Sequence, residues 1–443
     1  MKKCLAFIIA CALVVSCASC GAKKQDETAK GPVTYESAMD SLKDKAKGKE
    51  VICWYTDDTD KEWIEAAAKN FNKKYGVNVK PVAYDGVQLF EDINSANQKE
   101  NGPDMYICGN DLLEFAKTAG VLSENDILDD EFWDKNYPKT SVNALTYKGK
   151  RYGYPVYFDT YCLVYDANLL ENAPASIDDI LTFLDEYEDT GSTKAVFRWD
   201  VADPYINTMF LASYANLFGE NGDDLTSFTV NGEKEIEAMK YFQSLSEYLW
   251  MDKNNISHDT IINRIKDGTL VIGMCKSDIL PVLYEMKSNA ATTEEAGTEE
   301  NDETENTEES TKEATNYTVS YVPSLTSELS STCLSTTYGA FINPYGKETD
   351  AANMFALYLS VENQANQFAG NGKLPVVNQK DGFDDMQTVL YAQYQNSKPV
   401  PKVMLTGNYM LESAMTFDNI WKGADAEEEL NKLQQSMQEM IGK

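Results

Sequence analysis

Apolar residues recur along this chain in two alternating rhythms. Short continuous apolar runs at 51–56, 77–84 and 105–108 read as strands buried on both faces of a parallel sheet. Between the first two, Ile64, Ala67, Ala68 and Phe71 share one helical face, opened by a capping box from Thr59 and Glu62 and closed by Gly76. Residues 89–97 predict the next helix, and Asn110 or Asp111 caps another that ends at Gly120. Strand and helix in this alternation predict a doubly wound α/β sheet.

A second pattern begins at Lys148. The stretch KGKRYGYPVYFDTYCLVYDANLL is aromatic and β-branched, and Pro155 holds Tyr154 extended, so residues 152–165 read as a strand that starts in one domain and ends in another. Beyond it, Ser176 and Asp179 box the start of a helix that runs to about residue 189, and 195–199 is a strand. Asp203-Pro204-Tyr205 opens a helix with Ile206, Phe210, Tyr214 and Leu217 on one face. Helices at 235–250 and 259–266 lead to a strand at 269–274, a helix at 277–287 and a strand at 317–322. Residues 290–315 break the pattern: ten carboxylates between Glu294 and Glu313 face one Lys312, and no core can form there. This acidic insertion enters a strand at its N-terminal end, which predicts a solvated spacer away from any ligand cleft.

Composition narrows the possibilities. At 443 residues the chain has room for two domains, and a formal charge of −32 argues against nucleic acid as a partner. Lys2 and Lys3, an apolar run from Leu5 to Val15 and then small residues form a secretory signal. Val14-Val15-Ser16-Cys17 resembles a bacterial lipobox with Cys17 as the lipidated residue; Cys20, after Ala18 and Ser19, is the alternative. Residues 21–48 are polar and read as a flexible tether. Cys53, Cys108, Cys162, Cys275 and Cys333 sit widely spaced in apolar runs and read as buried free thiols. With a single histidine, His258, and no C-x-x-C outside the signal, no metal site or cofactor is expected.

Catalytic signatures are missing. Neither G-x-S-x-G nor H-E-x-x-H occurs, and Gly370-Asn-Gly-Lys373 lacks the spacing of a phosphate loop. A pair of carboxylates across a cleft, drawn from Asp58, Asp111, Asp159 and Asp203, would still suit a glycoside hydrolase.

The motif G-K-x-Y-G-x-P from Gly149, followed after seven residues by L-x-Y-D-x-x-L, closely resembles the solute-binding proteins of ABC importers, of the maltose-binding type. So do F-N-K-K-Y-G-V-N-V from Phe71, G-P-D-M-Y-I from Gly102, R-I-K-D-G-T-L-V-I-G-M from Arg264 and the run from Glu362 to Asn378. The resemblance implies a two-lobed periplasmic-binding-protein fold, each lobe a sheet flanked by helices, with three crossings between lobes. It divides the chain into a signal and lipobox region (1–20), the tether (21–48), lobe 1 (49–157), lobe 2 (158–267), lobe 1 again (268–340) and lobe 2 again (341–443).

It also implies ligand contacts. Trp54 and Asp58 leave the first strand, Asn110 and Asp111 leave the third, Asp159 lies on the crossing, and Asp203 and Tyr205 start a helix in the second lobe. Tyr157, Tyr338, Tyr409 and Met410 join them on looser spacing. Carboxylates, amides and aromatic faces together suit the hydroxyls and C–H patches of a sugar. Cys108 stands where the family pattern has an aromatic, so maltodextrin itself is not implied.

The resulting expectation is a monomeric, lipid-anchored, extracytoplasmic binding component of an ABC importer. It delivers a mono- or oligosaccharide to permease subunits in the membrane and has no catalytic role. A polyamine or other cation is the alternative ligand.

Overall fold

The computed structural model describes residues 33–188, 194–251, 255–296, 315–363, 373–378 and 382–442, with backbone alone for 290–296. Cys17 and Cys20 lie outside the described residues, as do 297–314, most of the expected acidic insertion. Its first residues, up to Ala296, are instead the end of a helix that begins at Leu280.

Two sheets carry the architecture. In the first, β1 (Glu50–Tyr55) runs parallel to β2 (Asn78–Ala83) and to β3 (Met105–Gly109). The helices α2 (Lys61–Tyr75) and α3 (Leu89–Gln98) link them as crossovers. Burial of Ile64, Ala67, Ala68 and Phe71 and the left-handed Gly76 cap agree with the sequence. Thr59 and Glu62 form no capping box. Residues Asp58–Asp60 make a 3-10 turn, and Asp57 caps it by accepting from the Thr59 N–H. Similarly, Asn110 and Asp111 fall in a 3-10 turn ahead of the short helix α4 (Leu113–Thr118), which has no side-chain cap.

The long stretch from Lys148 divides as its pattern predicts. β4 (Tyr154–Asp159) belongs to the first sheet and β5 (Tyr161–Asp166) to the second, with Thr160 alone between them. Gly153, ahead of β4, has φ +59, and a Cβ there would lie 2.5 Å from the Phe341 ring, so this motif glycine is required twice over. The second sheet adds β6 (Ala195–Arg198), β7 (Leu270–Lys276) and β8 (Tyr317–Ser320) in the order β8-β5-β7-β6. Side chains alternate along β5: Cys162 and Val164 join one core, Leu163 and Tyr161 the other. The helix opened by Asp203 is only Pro204–Asn207, and Leu217 already lies in a short hairpin strand.

Return of the chain differs from the sequence expectation. Residues 268–340 were to belong to the first lobe, yet β7 pairs antiparallel with β5 and parallel with β6, all in the second sheet. The first sheet is rejoined by β9 (Leu334–Ile342), which runs antiparallel between β3 and β4. Two short strands complete it, β10 (Leu374–Pro375) on β4 and β11 (Lys398–Pro399) on β9. Of the helices described after β9, Thr349–Leu357 and Asp385–Gln395 cover the first core, and Thr406–Trp421 and Ala426–Ile441 pack in the second. The chain thus passes between sheets at 159–161, 321–333 and 400–405. A strand's apolar run specifies burial but not its sheet, which is why repeated α/β units were shifted by one element.

The expected tether also needs correction. Residues Tyr35–Ala46 form a helix, α1, with a capping box from Thr34 and Ser37 and with Ala38, Met39, Leu42 and Ala46 buried against the first core. Tyr35 and Tyr75 both donate to Glu362, at 2.5 and 2.7 Å, and Lys45 pairs with Asp350 at 3.2 Å. Polar composition hid an amphipathic face of four residues. Leu42→Ala is expected to lower unfolding stability by about 2 to 5 kcal/mol in urea denaturation, as a cavity in packed apolar surroundings does; an unpacked tether would show no change.

Candidate functional site

Where the sheets meet, a cavity of about 230 Å³ opens beside the first crossing. Its position follows from the local backbone. Thr160 is held on both sides by Ser277: the Ser277 N–H donates to the Thr160 carbonyl at 2.9 Å, and the Thr160 N–H donates to Ser277 Oγ at 3.3 Å. Ser277 Oγ in turn donates to Asp159 at 2.7 Å. The end of β7 therefore fixes the crossing, and Asp159, Thr160, Tyr161 and Lys276 line the cavity together.

The first sheet contributes Asp111, just past β3, with Thr336 and Tyr338 from β9. The second contributes Tyr205, whose N–H donates at 2.9 Å to its capping residue, Asp203. Leu334 and Val400 supply apolar wall. The result is a pocket with two carboxylates, an ammonium, hydroxyls and three phenol rings.

Of the residues expected from sequence, Asp111, Asp159, Tyr205 and Tyr338 are brought together here. Others stand one layer behind. Tyr157 stacks on Tyr338 with ring centroids 4.6 Å apart and donates to the buried Asp60 at 2.6 Å. Asp203 accepts from Tyr161 at 3.1 Å and lies 3.7 Å from Lys276 Nζ. Asn110 is fully buried and stitches the hinge: its Nδ2 donates to the Val400 carbonyl and its Oδ1 accepts from the Thr337 N–H, both at 2.8 Å.

Four expected residues do not face the cavity. Trp54 is half-buried and stacks on Tyr84 at 5.5 Å, and Asp58 is exposed on its 3-10 turn. Tyr409 and Met410, 0% and 4% exposed, belong to the second core, because the helix Thr406–Trp421 turns that face inward and leaves Leu411 and Met415 exposed. Sequence reading missed Thr160, Tyr161, Lys276, Leu334, Thr336 and Val400. The missed signal was Lys276, a lone cation closing the apolar run 270–275.

It also missed Lys373. This lysine pairs with Asp57 and, at 3.0 Å, with Asp60, and lies over the rings of Tyr157 (4.5 Å) and Tyr338 (5.6 Å). The pairing explains opposite carboxylate behaviour. Burial would raise Asp57, but Lys373 outweighs it and the carboxyl falls below its ordinary range. For the more deeply set Asp60 burial wins against the same lysine, and the carboxyl rises.

Asp111 is pushed up to about 6 by burial, with no neighbouring cation among the described residues to offset it. Asp159 is raised by burial too, a rise eased by the Ser277 hydroxyl. All five described cysteines are buried free thiols, and no group of metal-ligating side chains occurs among the described residues.

Comparison with known proteins agrees with this architecture. Residues 66–388 match the family model for bacterial extracellular solute-binding proteins. A maltodextrin-binding protein of Bacillus subtilis is 25% identical over 279 residues, covering 60% of this chain and 61% of that protein. A maltooligosaccharide ABC transporter solute-binding lipoprotein of Streptococcus pneumoniae is 26% identical over 235 residues, 52% of each chain. These matches therefore span about half to six tenths of the relatives' own lengths. Among solved structures, a cyclo/maltodextrin-binding protein complexed with maltotetraose superposes with TM-score 0.71 at 18% identity, covering 88% of this chain and 97% of that one. A maltose-binding protein of Listeria monocytogenes gives 0.70 at 19%, covering 89% and 98%. The fold is accordingly that of the maltose-binding type, two lobes with three crossings.

The raised pKa of Asp111 gives a stability test. Its folded pKa, about 6, exceeds the ordinary value of 3.8, so ionising it costs the folded state. That cost is absent below the ordinary value, grows as pH rises towards 6, and is complete above it. Asp111→Asn should thus stabilise the ligand-free protein by about 1 to 3 kcal/mol above pH 6.5 and by little at pH 4, read as the difference in Tm across pH.

Proposed function

We propose that this chain, which belongs to the family of bacterial extracellular solute-binding proteins, captures a carbohydrate between its two lobes and passes it to an ABC permease in the membrane. One observation carries this reading: the cavity beside the crossing is lined by carboxylates and hydroxyls next to three tyrosines, the pairing that a sugar's hydroxyls and C–H patches require. Relatives named for maltodextrin and maltooligosaccharide binding support the ligand class. Capture needs no bond broken, so the protein acts as a binder, as a monomer. Closure about the three crossings would present the loaded form to the permease.

A glycoside hydrolase is the reading to set against it, because Asp111 and Asp159 share one cavity and Asp111 has the raised pKa of a general acid. Tyr205→Ala and Asp159→Asn are each expected to weaken sugar binding about ten- to hundredfold by calorimetry, since one removes a stacking face and the other a charged acceptor. Sugar incubated for hours with wild type should be recovered intact by chromatography. Cleavage abolished by Asp159→Asn would establish a hydrolase.

The N-terminus supports export and lipid anchoring through Val14-Val15-Ser16-Cys17, and the pneumococcal relative is named a lipoprotein. Cys17→Ser should release the protein from membranes into the aqueous phase of a detergent partition. Retained lipid in that variant would move the anchor to Cys20.

A further inference from the structure

Charges around the cavity are unevenly matched. Lys276 has Asp203 at 3.7 Å, and Lys373, behind the tyrosine stack, is shared by Asp57 and Asp60. Both lysines therefore have carboxylate partners of their own. Asp159 accepts from Ser277 and feels both lysines. Asp111 differs: no lysine or arginine among the described residues lies within ion-pair distance of it, and the groups that sense its charge are the phenols of Tyr205 and Tyr338 and the buried thiol of Cys108.

An independent feature points to an occupant. Thr160, which lines the same cavity, is 2% exposed, its backbone is committed to Ser277, and its Oγ1 has no hydrogen-bond partner among the described residues. A buried hydroxyl of this kind costs free energy unless something enters to satisfy it.

Resting on the carbohydrate reading above, we propose that the captured sugar carries a primary ammonium, as in a 2-amino-2-deoxyhexose or its oligomers, with the ammonium on Asp111 and the ring against the tyrosines. A neutral sugar could donate hydroxyls to Asp111 but would expel water and leave the carboxylate without a countercharge. An ammonium supplies donor and charge together, and the faces of Tyr205 and Tyr338 attract it as well. A sugar hydroxyl can meet Thr160. A linear polyamine would match the carboxylates and could donate to Thr160 Oγ1, yet it offers no acceptor for the Thr160 O–H, which a sugar hydroxyl does.

Calorimetry at neutral pH with glucosamine and its oligomers, their N-acetylated counterparts, maltose, maltotriose and spermidine tests the proposal. The amino sugars should bind about tenfold or more tighter than neutral or N-acetylated sugars of equal length, and Asp111→Asn should remove that margin. Should the variant fail to fold, the amine and N-acetyl forms compared on wild type decide alone. Neutral glucans bound as tightly as amino sugars would overturn this inference and leave the carbohydrate reading standing. Spermidine bound with no sugar would overturn both. A margin that survives Asp111→Asn would overturn the assignment to Asp111.

Discussion

Everything at the cavity depends on how Thr160 is held. A single residue separates two strands of different sheets, and Ser277 grips it by both backbone groups while its hydroxyl reaches Asp159. This grip sets the end of β4 against the end of β7 and so fixes which side chains can share a pocket. Antiparallel register then carries the constraint outward. β9 places Tyr338 opposite Tyr157, and a register shift follows between Tyr338 and Gly339. Such an irregularity re-aims side chains where a ladder alone would continue them. Any closure of the lobes must be absorbed at 159–161, 321–333 and 400–405, and the first of these is the shortest. The two longer passages are therefore where backbone angles have room to change.

The tyrosine wall rests on charge buried behind it. Two carboxylates near one another would resist ionisation, but Lys373 lies against both Asp57 and Asp60 and over two rings. Removing that lysine would leave Asp60, fully buried, without its cation, the costly way to break such a group. The network thus positions Tyr157 and Tyr338 without touching the cavity itself. Asn110 does the same by hydrogen bonds, joining β3, β9 and the third passage.

Periodicity revealed most helices and strands, and the brake at Pro155 marked the crossing, because these depend on local backbone preference. Long-range pairing did not show. β7 reads as an apolar run after a turn, and only the partners of β7 and β9, β5 and β6 for one and β3 and β4 for the other, separate the lobes. Site residues divided along the same line. Asp111 and Asp159 sit at strand ends, where polarity is legible. Tyr409 and Met410 could not be told from ligand contacts, since an aromatic residue on a helix suits a core equally well. α1 was missed because its long polar residues outnumber the four that pack. Lys373 was missed because its partners lie more than 300 positions away.

Overall acidity misleads about the ligand. Residues 294–313 alone hold ten carboxylates against Lys312, so a substantial part of the −32 belongs to a segment with a single alanine, Ala296, as its apolar content. Fields from such charges are screened within about 10 Å at moderate salt. What a ligand meets is decided instead by pairing at close range, where Lys276 and Lys373 each stand against aspartates and Asp111 does not. A neutral total could have contained the same site. The preference of the cavity is therefore written in five aspartates and two lysines rather than in the composition, and changing surface charge far from Thr160 should leave that preference intact.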